Sequence, residues 1–202
     1  MQQRAIRSRQ TILNAAREVF SAKGFHGARI DEIAAAAAIN KQRIYAYFKN
    51  KAGLFSAVLR ESFCDLLAVE QHLLELGPEN LPQLPEEILK SYFNAHERYP
   101  EIWRLLAWEN LEGAKHSATL AGLQEPVYAH LRKLYRIGQK RGEFDPEISF
   151  VAFVFTLLAV AYFMESNHRT LVKSLGIDLS TRRKRDQLGC AILRMINTGI
   201  SV

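Results

Sequence analysis

Cysteine is nearly missing from this chain: Cys64 and Cys190 are the only two in 202 residues. Two cysteines cannot build a disulfide framework, and a reducing compartment suits them. Proline is also sparse. Three of the six fall in one stretch, GPENLPQLP, so most of the chain is free of helix breakers. No segment alternates β-branched apolar residues with polar ones, which argues against a sheet. The six histidines show neither HxxxH nor HExxH spacing, and GxSxG, Walker and GxGxxG sequences are absent. No metal, no cofactor and no enzymatic activity are therefore expected.

Long apolar runs are missing too. The longest, FVAFVFTLLAVAYFM from Phe150 to Met164, has 15 residues with Thr156 as its one polar member. A membrane span needs about 20, and Asp145, Glu147 and Glu165 bracket the run. A helix buried on nearly all sides is expected, touching its own core and a partner subunit, with no membrane partner. The opening MQQRAIRSRQ leads into an amphipathic stretch and not an apolar one, so no signal peptide is expected and the location is cytoplasmic.

Acidic residues are scarce at one end only. Met1–Lys51 holds ten Lys and Arg against three Asp and Glu, a surplus of seven, while the remainder carries seventeen against eighteen. A basic head on a neutral body suits a polyanion partner, although a solvated basic terminus would look the same.

Apolar residues recur at spacings of three and four throughout, which predicts an all-α chain of about nine helices. The first spans about Arg7 to Lys23, with Ile12, Ala16, Val19 and Phe20 as its stripe and Gly24 ending it. The second covers Ile30 to Ala37, and the third runs from Lys41 to Phe48 behind Asn40, a good N-cap residue. A long fourth helix reaches about Leu76. After the proline-rich link come helices beginning at Pro85, Glu101, about Leu120 and Pro146, the last of these reaching about His168; the final helix starts near Ser180. Pro126 marks a kink or a late start in the seventh.

AAAAAINKQRIYAYF, residues 34–48, carries the function. Two short helices joined by so few residues must cross steeply and closely, and alanines permit that approach. Ala34 and Ala37 are expected inward, Ala35 and Ala36 outward, with Ile39 beneath the turn. This is a helix-turn-helix pattern whose second helix presents Lys41, Gln42 and Arg43 at its N-terminal end, where base edges are met. A helical hairpin in a plain bundle is the bland alternative.

TILNAAREVFSAKGFHGARIDEIAAAAAINKQRIYAYFKNKAGLFSAVL resembles the N-terminal domain of the TetR family of bacterial transcriptional regulators, over about residues 8 to 60. The resemblance implies a DNA-binding domain at 1–50 and an effector-binding and dimerisation domain at 51–202. It implies a homodimer on a palindromic operator in double-stranded DNA, released by a small-molecule effector, and a repressor is the commoner family behaviour. Two departures stand out. Ala38 occupies a turn position where the family commonly has glycine, and a positive φ there would cost about 1 kcal/mol. Ala28 and Arg29 stand where the family commonly has a hydroxyl residue before the second helix; Arg29 can replace that phosphate contact.

By resemblance the recognition helix opens at Asn40, and Gln42 and Arg43 are the base readers, worth about 1–3 kcal/mol of discrimination each. Arg43 gripping phosphate only is the plainer alternative. Lys41 and Lys51 are expected on the DNA backbone. Tyr47 is expected to give its hydroxyl to a phosphate while its ring packs on the first helix. Tyr45 has two roles open, core residue or contact to a sugar or thymine methyl. Arg4, Arg7 and Arg9 form an arm that either adds phosphate contacts or stays disordered.

In the body, Tyr92, His96, Trp103, Trp108, Glu109, Tyr128 and Tyr162 offer apolar walls with a few polar groups, which describes a ligand pocket and equally an ordinary core. If Glu109 faces a cavity, a cationic or donor-bearing ligand is favoured. Other readings of the chain are an all-helical small-molecule-binding enzyme and a nonspecific DNA-binding protein.

Overall fold

The computed structural model describes residues 2–200. Among the described residues there are nine α-helices and no strand: α1 (Gln2–Gly27), α2 (Ile30–Ala36), α3 (Lys41–Phe48), α4 (Lys51–Glu70), α5 (Leu84–Arg98), α6 (Pro100–Leu111), α7 (Glu125–Lys140), α8 (Phe150–Leu175) and α9 (Arg182–Ile200). They gather into two compact units. The first is Met1–Leu67 with Tyr99–Leu123, the second Ala68–Arg98 with Gln124–Val202. Helix α6 is thus part of the same body as the basic head.

The first unit folds around the stripe read from α1. Ile12, Leu13, Ala16 and Phe20 are fully buried and share one cluster with Ile33, Ile44, Leu54, Phe55, Val58 and Leu105. Phe20 and Phe55 meet edge to face with centroids 4.8 Å apart, a geometry worth about 0.5–1.5 kcal/mol beyond the area buried. Ala34 and Ala37 are buried while Ala35 and Ala36 face solvent, which is the division expected of a close helix crossing.

The turn between α2 and α3 is a Schellman motif. Ile39 N–H donates to the Ala34 carbonyl at 3.0 Å and Ala38 N–H to the Ala35 carbonyl at 3.1 Å. Ala38 takes the left-handed position of that motif, with φ 50°. At the other end of α3, Asn50 caps α4 by accepting from Gly53 N–H at 2.8 Å. A Cβ at Gly53 would lie 2.2 Å from the Phe48 carbonyl oxygen. Only glycine lets α4 start this close to the end of α3.

The second unit packs α5, α7 and α8 around Tyr135, whose ring stacks on Phe144 at 5.0 Å and Phe153 at 4.7 Å. Leu81, Leu84, Ile88, Leu131, Leu157 and Ala161 complete that core, and α9 adds Leu193. Helix α8 is long and apolar enough to cross a membrane by length and composition alone. One side of it lies on this core, and the other exposes Val151, Phe155 and Phe163.

Several boundaries differ from expectation, each for a local reason. Helix α1 starts at Gln2, five residues early, because the RAIRSRQ stretch is made of good helix formers and the Tyr47 hydroxyl secures the Ala5 carbonyl at 3.3 Å. Gly24 does break the first helix as expected: its backbone is non-helical, at φ 70° and ψ 178°, and a short helical turn follows it to Gly27. Helix α4 stops at Glu70 and tightens into a 3-10 segment, Gln71–Glu75. Helix α7 takes the late start, with Pro126 in its first turn. Helix α8 opens at the Ser149 cap, whose hydroxyl accepts from Ala152 N–H, and not at Pro146.

Ala38→Gly is expected to stabilise the first unit by about 0.5–1 kcal/mol, since it relieves a left-handed alanine but frees the unfolded chain. A raised urea midpoint would bear this out, and an unchanged or lowered midpoint would show that the turn carries no strain.

Candidate functional site

The N-terminal end of α3 is built from the turn outward. The Asn40 side chain accepts from Gln42 N–H at 2.8 Å and so caps the helix as expected. Gln42, Arg43 and Tyr45 then project into solvent on the face opposite the buried Ile44 and Phe48. Of the two roles open for Tyr45, the core is ruled out by its 39% exposure.

Two acids lie near this tip, and both are neutralised. Lys41 Nζ pairs with Asp31 at 2.8 Å, and that hydrogen bond raises the lysine's pKa. Lys23 Nζ pairs with Glu32 at 2.8 Å, which lowers the pKa of the carboxyl. Glu32 also receives the Arg29 N–H at 3.4 Å, half of a capping box that stands in for the missing hydroxyl. Among the described residues Arg29, Arg43 and Lys49 form no ion pair, so their charge is left for an outside anion.

Tyr47 and Lys51 sit differently from the expected phosphate contacts. The Tyr47 hydroxyl is already given to the Ala5 carbonyl. Lys51 Nζ lies 4.8 Å above the Phe25 ring and 3.4 Å from the His26 carbonyl, half-buried, and burial lowers its pKa. In this structure both groups tie α3 and α4 to α1. The helical arm places Arg9 over the Phe48 ring at 5.4 Å and leaves Arg4 and Arg7 exposed.

The seven residues expected to line a pocket divide between the two units. Trp103, Trp108 and Glu109 are in the first. A Cβ at Gly24 would lie 2.8 Å from the Trp108 ring, so that indole packs directly on bare backbone. Glu109 does not face a cavity: its carboxylate accepts from the His116 N–H and meets His116 Nδ1 at 3.1 Å. The pairing holds the turn after α6, and the His116 ring lies against Phe25 and Phe55 at 4.6 and 4.9 Å.

Tyr92, His96, Tyr128 and Tyr162 are in the second unit. The Tyr92 and Tyr128 hydroxyls are 3.4 Å apart, and burial raises the pKa of both phenols. His96 is buried, its ring 6.3 Å from that of Tyr162, and burial pushes its pKa down to about 3.

Sequence reasoning missed Glu70. This last residue of α4 is fully buried, and neither carboxylate oxygen has a hydrogen-bond partner. Burial drives its pKa up to about 7, with the Gln124 amide opposing. A signal was there to find: Glu70 lies four residues after Leu66 and three before Leu73, so it occupies a core position on an apolar stripe.

A short two-helix reader with a capped, cationic, solvent-facing tip defines a helix-turn-helix DNA-binding protein. Sequence comparison gives the family. The model for bacterial regulatory proteins of the tetR family matches residues 12–58, and that for the tetracyclin repressor-like C-terminal domain matches residues 86–196. The HTH-type transcriptional repressor NicS of Pseudomonas putida is 34% identical over 188 residues, covering 91% of this chain and 87% of the relative. The HTH-type transcriptional repressor SCO4008 of Streptomyces coelicolor is 33% identical, covering 92% and 93%. A crystal structure of the putative transcriptional regulator SCO4942 from Streptomyces coelicolor superposes with a TM-score of 0.70 at 29% identity, covering 93% and 97%. The chain belongs to the TetR family of bacterial transcriptional regulators; it is a DNA-binding regulator and not an enzyme.

The Glu70 environment makes a pH prediction. An unfolded glutamate titrates near 4.5 and the folded one at about 7. Between those values the folded chain keeps a proton that the unfolded chain gives up, so stability falls as pH rises through this window. Glu70→Gln is expected to stabilise the protein by about 2–3 kcal/mol at pH 8, and hardly at all near pH 4.5. Denaturation at the two pH values decides it; a gap that does not change with pH would mean that Glu70 is ionised throughout.

Proposed function

We propose that this chain is a cytoplasmic, homodimeric repressor that grips a palindromic operator through paired α3 helices and lets go when a small molecule binds its second unit. The observation that carries this reading is the tip of α3: Asn40-capped, with Gln42 and Arg43 exposed beside acids already neutralised. Gln42 suits adenine and Arg43 suits guanine, while Arg29, Asn40 and Lys41 suit the phosphates flanking them. Tyr45 leans outward beside the readers and suits a sugar or a thymine methyl.

The dimer reading rests on α8 and α9. Val151, Phe155 and Phe163 follow one another along α8 and are 72%, 69% and 54% exposed, and Met195 on α9 is 75% exposed. Apolar side chains this open are unusual on a monomer surface. A second copy seated on them would form a two-fold, four-helix contact, and two-fold symmetry in the protein requires it in the operator.

Ligand release requires differential affinity: the effector must prefer a dimer whose α3 spacing no longer fits successive major grooves. Tyr92, His96, Tyr128 and Tyr162 are the members of the expected pocket set that the second unit supplies.

Fluorescence anisotropy on DNA flanking the gene tests the reading. The native chain is expected to prefer that fragment over a scrambled one, with affinity falling steeply as salt rises. Arg43→Ala should cut the preference about tenfold, while Arg29→Ala should weaken both fragments alike. Equal losses on both fragments for Arg43→Ala would make it a phosphate contact. No preference in the native chain would leave only a nonspecific DNA binder, and a monomer at micromolar concentration in light scattering would remove the palindrome.

A further inference from the structure

The second unit buries a carboxylate that no cation answers. Glu70 is wholly inaccessible, and both its oxygens lack hydrogen bonds. Among the described residues no lysine, arginine or histidine forms an ion pair with it. The polar groups that feel its charge are the hydroxyls of Tyr92 and Tyr128, 3.4 Å from each other, and the Gln124 amide. Around them the unit is apolar, with Leu73, Val127 and Leu131 in the same core as Tyr92. Tyr128 and Gln124 are only half-buried, so the cluster reaches solvent at the start of α7.

A buried acceptor with no donor is costly, and a charged one more so. Here the carboxylate and the two phenol rings favour one kind of visitor. We propose that Glu70, with Tyr92 and Tyr128, is the recognition point for an effector bearing a cationic nitrogen, a protonated amine or an amidinium, whose N–H groups bond the carboxylate while its charge rests against tyrosine. This deepens the ligand-released reading and depends on it. Tyrosine faces add cation–π attraction, and Gln124 is placed to bond a second polar group. Because Glu70 titrates at about 7, the ligand binds the ionised form and expels the proton from the fraction that is still protonated, about half a proton per site at pH 7.

The test uses the full chain, alone and on its labelled promoter fragment. The probes are benzamidine against benzamide and benzoate, and 2-phenylethylamine against 2-phenylethanol and phenylacetate, each to millimolar concentration. The cations are expected to raise the melting temperature and release the DNA, and their neutral and anionic counterparts to do neither. Glu70→Gln, isosteric and relieved of the buried charge, is expected to fold and to bind the cations about 10–100-fold more weakly. Calorimetry in two buffers of different ionisation enthalpy should show proton release near pH 7 that the variant lacks, which a purely structural Glu70 would not produce. Equal effects of a cation and its counterparts, retained binding in Glu70→Gln, or no cation effect on melting would each overturn the proposal. Release by a neutral or anionic compound, indifferent to Glu70→Gln, would overturn the cation site but leave a ligand-responsive repressor standing. Failure to prefer the promoter would remove the regulator reading, while melting measured without DNA still decides the role of Glu70.

Discussion

The recognition helix is clamped at both ends by backbone approaches that leave no room for bulk. At its start, the chain reverses through a left-handed alanine, and Ala34 and Ala37 bring α2 into contact with its neighbours. At its end, the Phe48 carbonyl stands where any side chain on residue 53 would have to be. Base recognition needs groups placed to within a fraction of an ångström, and side chains on a rigid helix meet that requirement better than loops do. The strained alanine and the enforced glycine are costs accepted for that placement. Gln42 and Arg43 are long, exposed side chains carried on that fixed helix.

The same logic explains why α6 belongs with the head. Trp108 lies on the bare backbone of Gly24, and Arg17 of α1 reaches Asp65 at 2.7 Å, Glu61 at 3.4 Å and Glu101 at 3.7 Å. Three carboxylates from α4 and α6 thus converge on one largely buried guanidinium. Packed and charged contacts of this kind have discrete arrangements and do not deform smoothly. A displacement of α6 therefore moves α1, and α1 carries the core on which α2 and α3 are seated. Glu109 holds the following turn so that His116 completes the Phe25–Phe55 cluster.

Much of this was legible in the residues, where one face of a short helix decides everything. The stripe of α1, the inward and outward alanines, the Asn40 cap and the exposed pair Gln42 and Arg43 all follow from spacing and side-chain size. Helix ends were less legible because tertiary contacts set them: the Tyr47 hydroxyl extends α1, and the 3-10 tightening after Glu70 shortens α4. Composition could not separate Trp103 and Trp108 from Tyr92 and Tyr128, since all are aromatic and distant in sequence; which unit each joins depends on long-range packing. Tyr47 and Lys51 carried a plausible outward role, and the structure uses both inward, because a hydroxyl or an ammonium near a helix carbonyl finds a partner without DNA.

Glu109 and Glu70 show how little a residue's name says about its purpose. Both are buried glutamates. Glu109 is answered by a backbone N–H and an imidazole from a turn seven residues on, so its burial stabilises a local shape. Glu70 is answered by nothing with a charge. A glutamine would fit the same space without the charge. The proton it holds near neutral pH is how the folded chain tolerates Glu70. Sites that must receive a partner are where such local contradictions persist, because the missing half of the interaction comes from outside the chain.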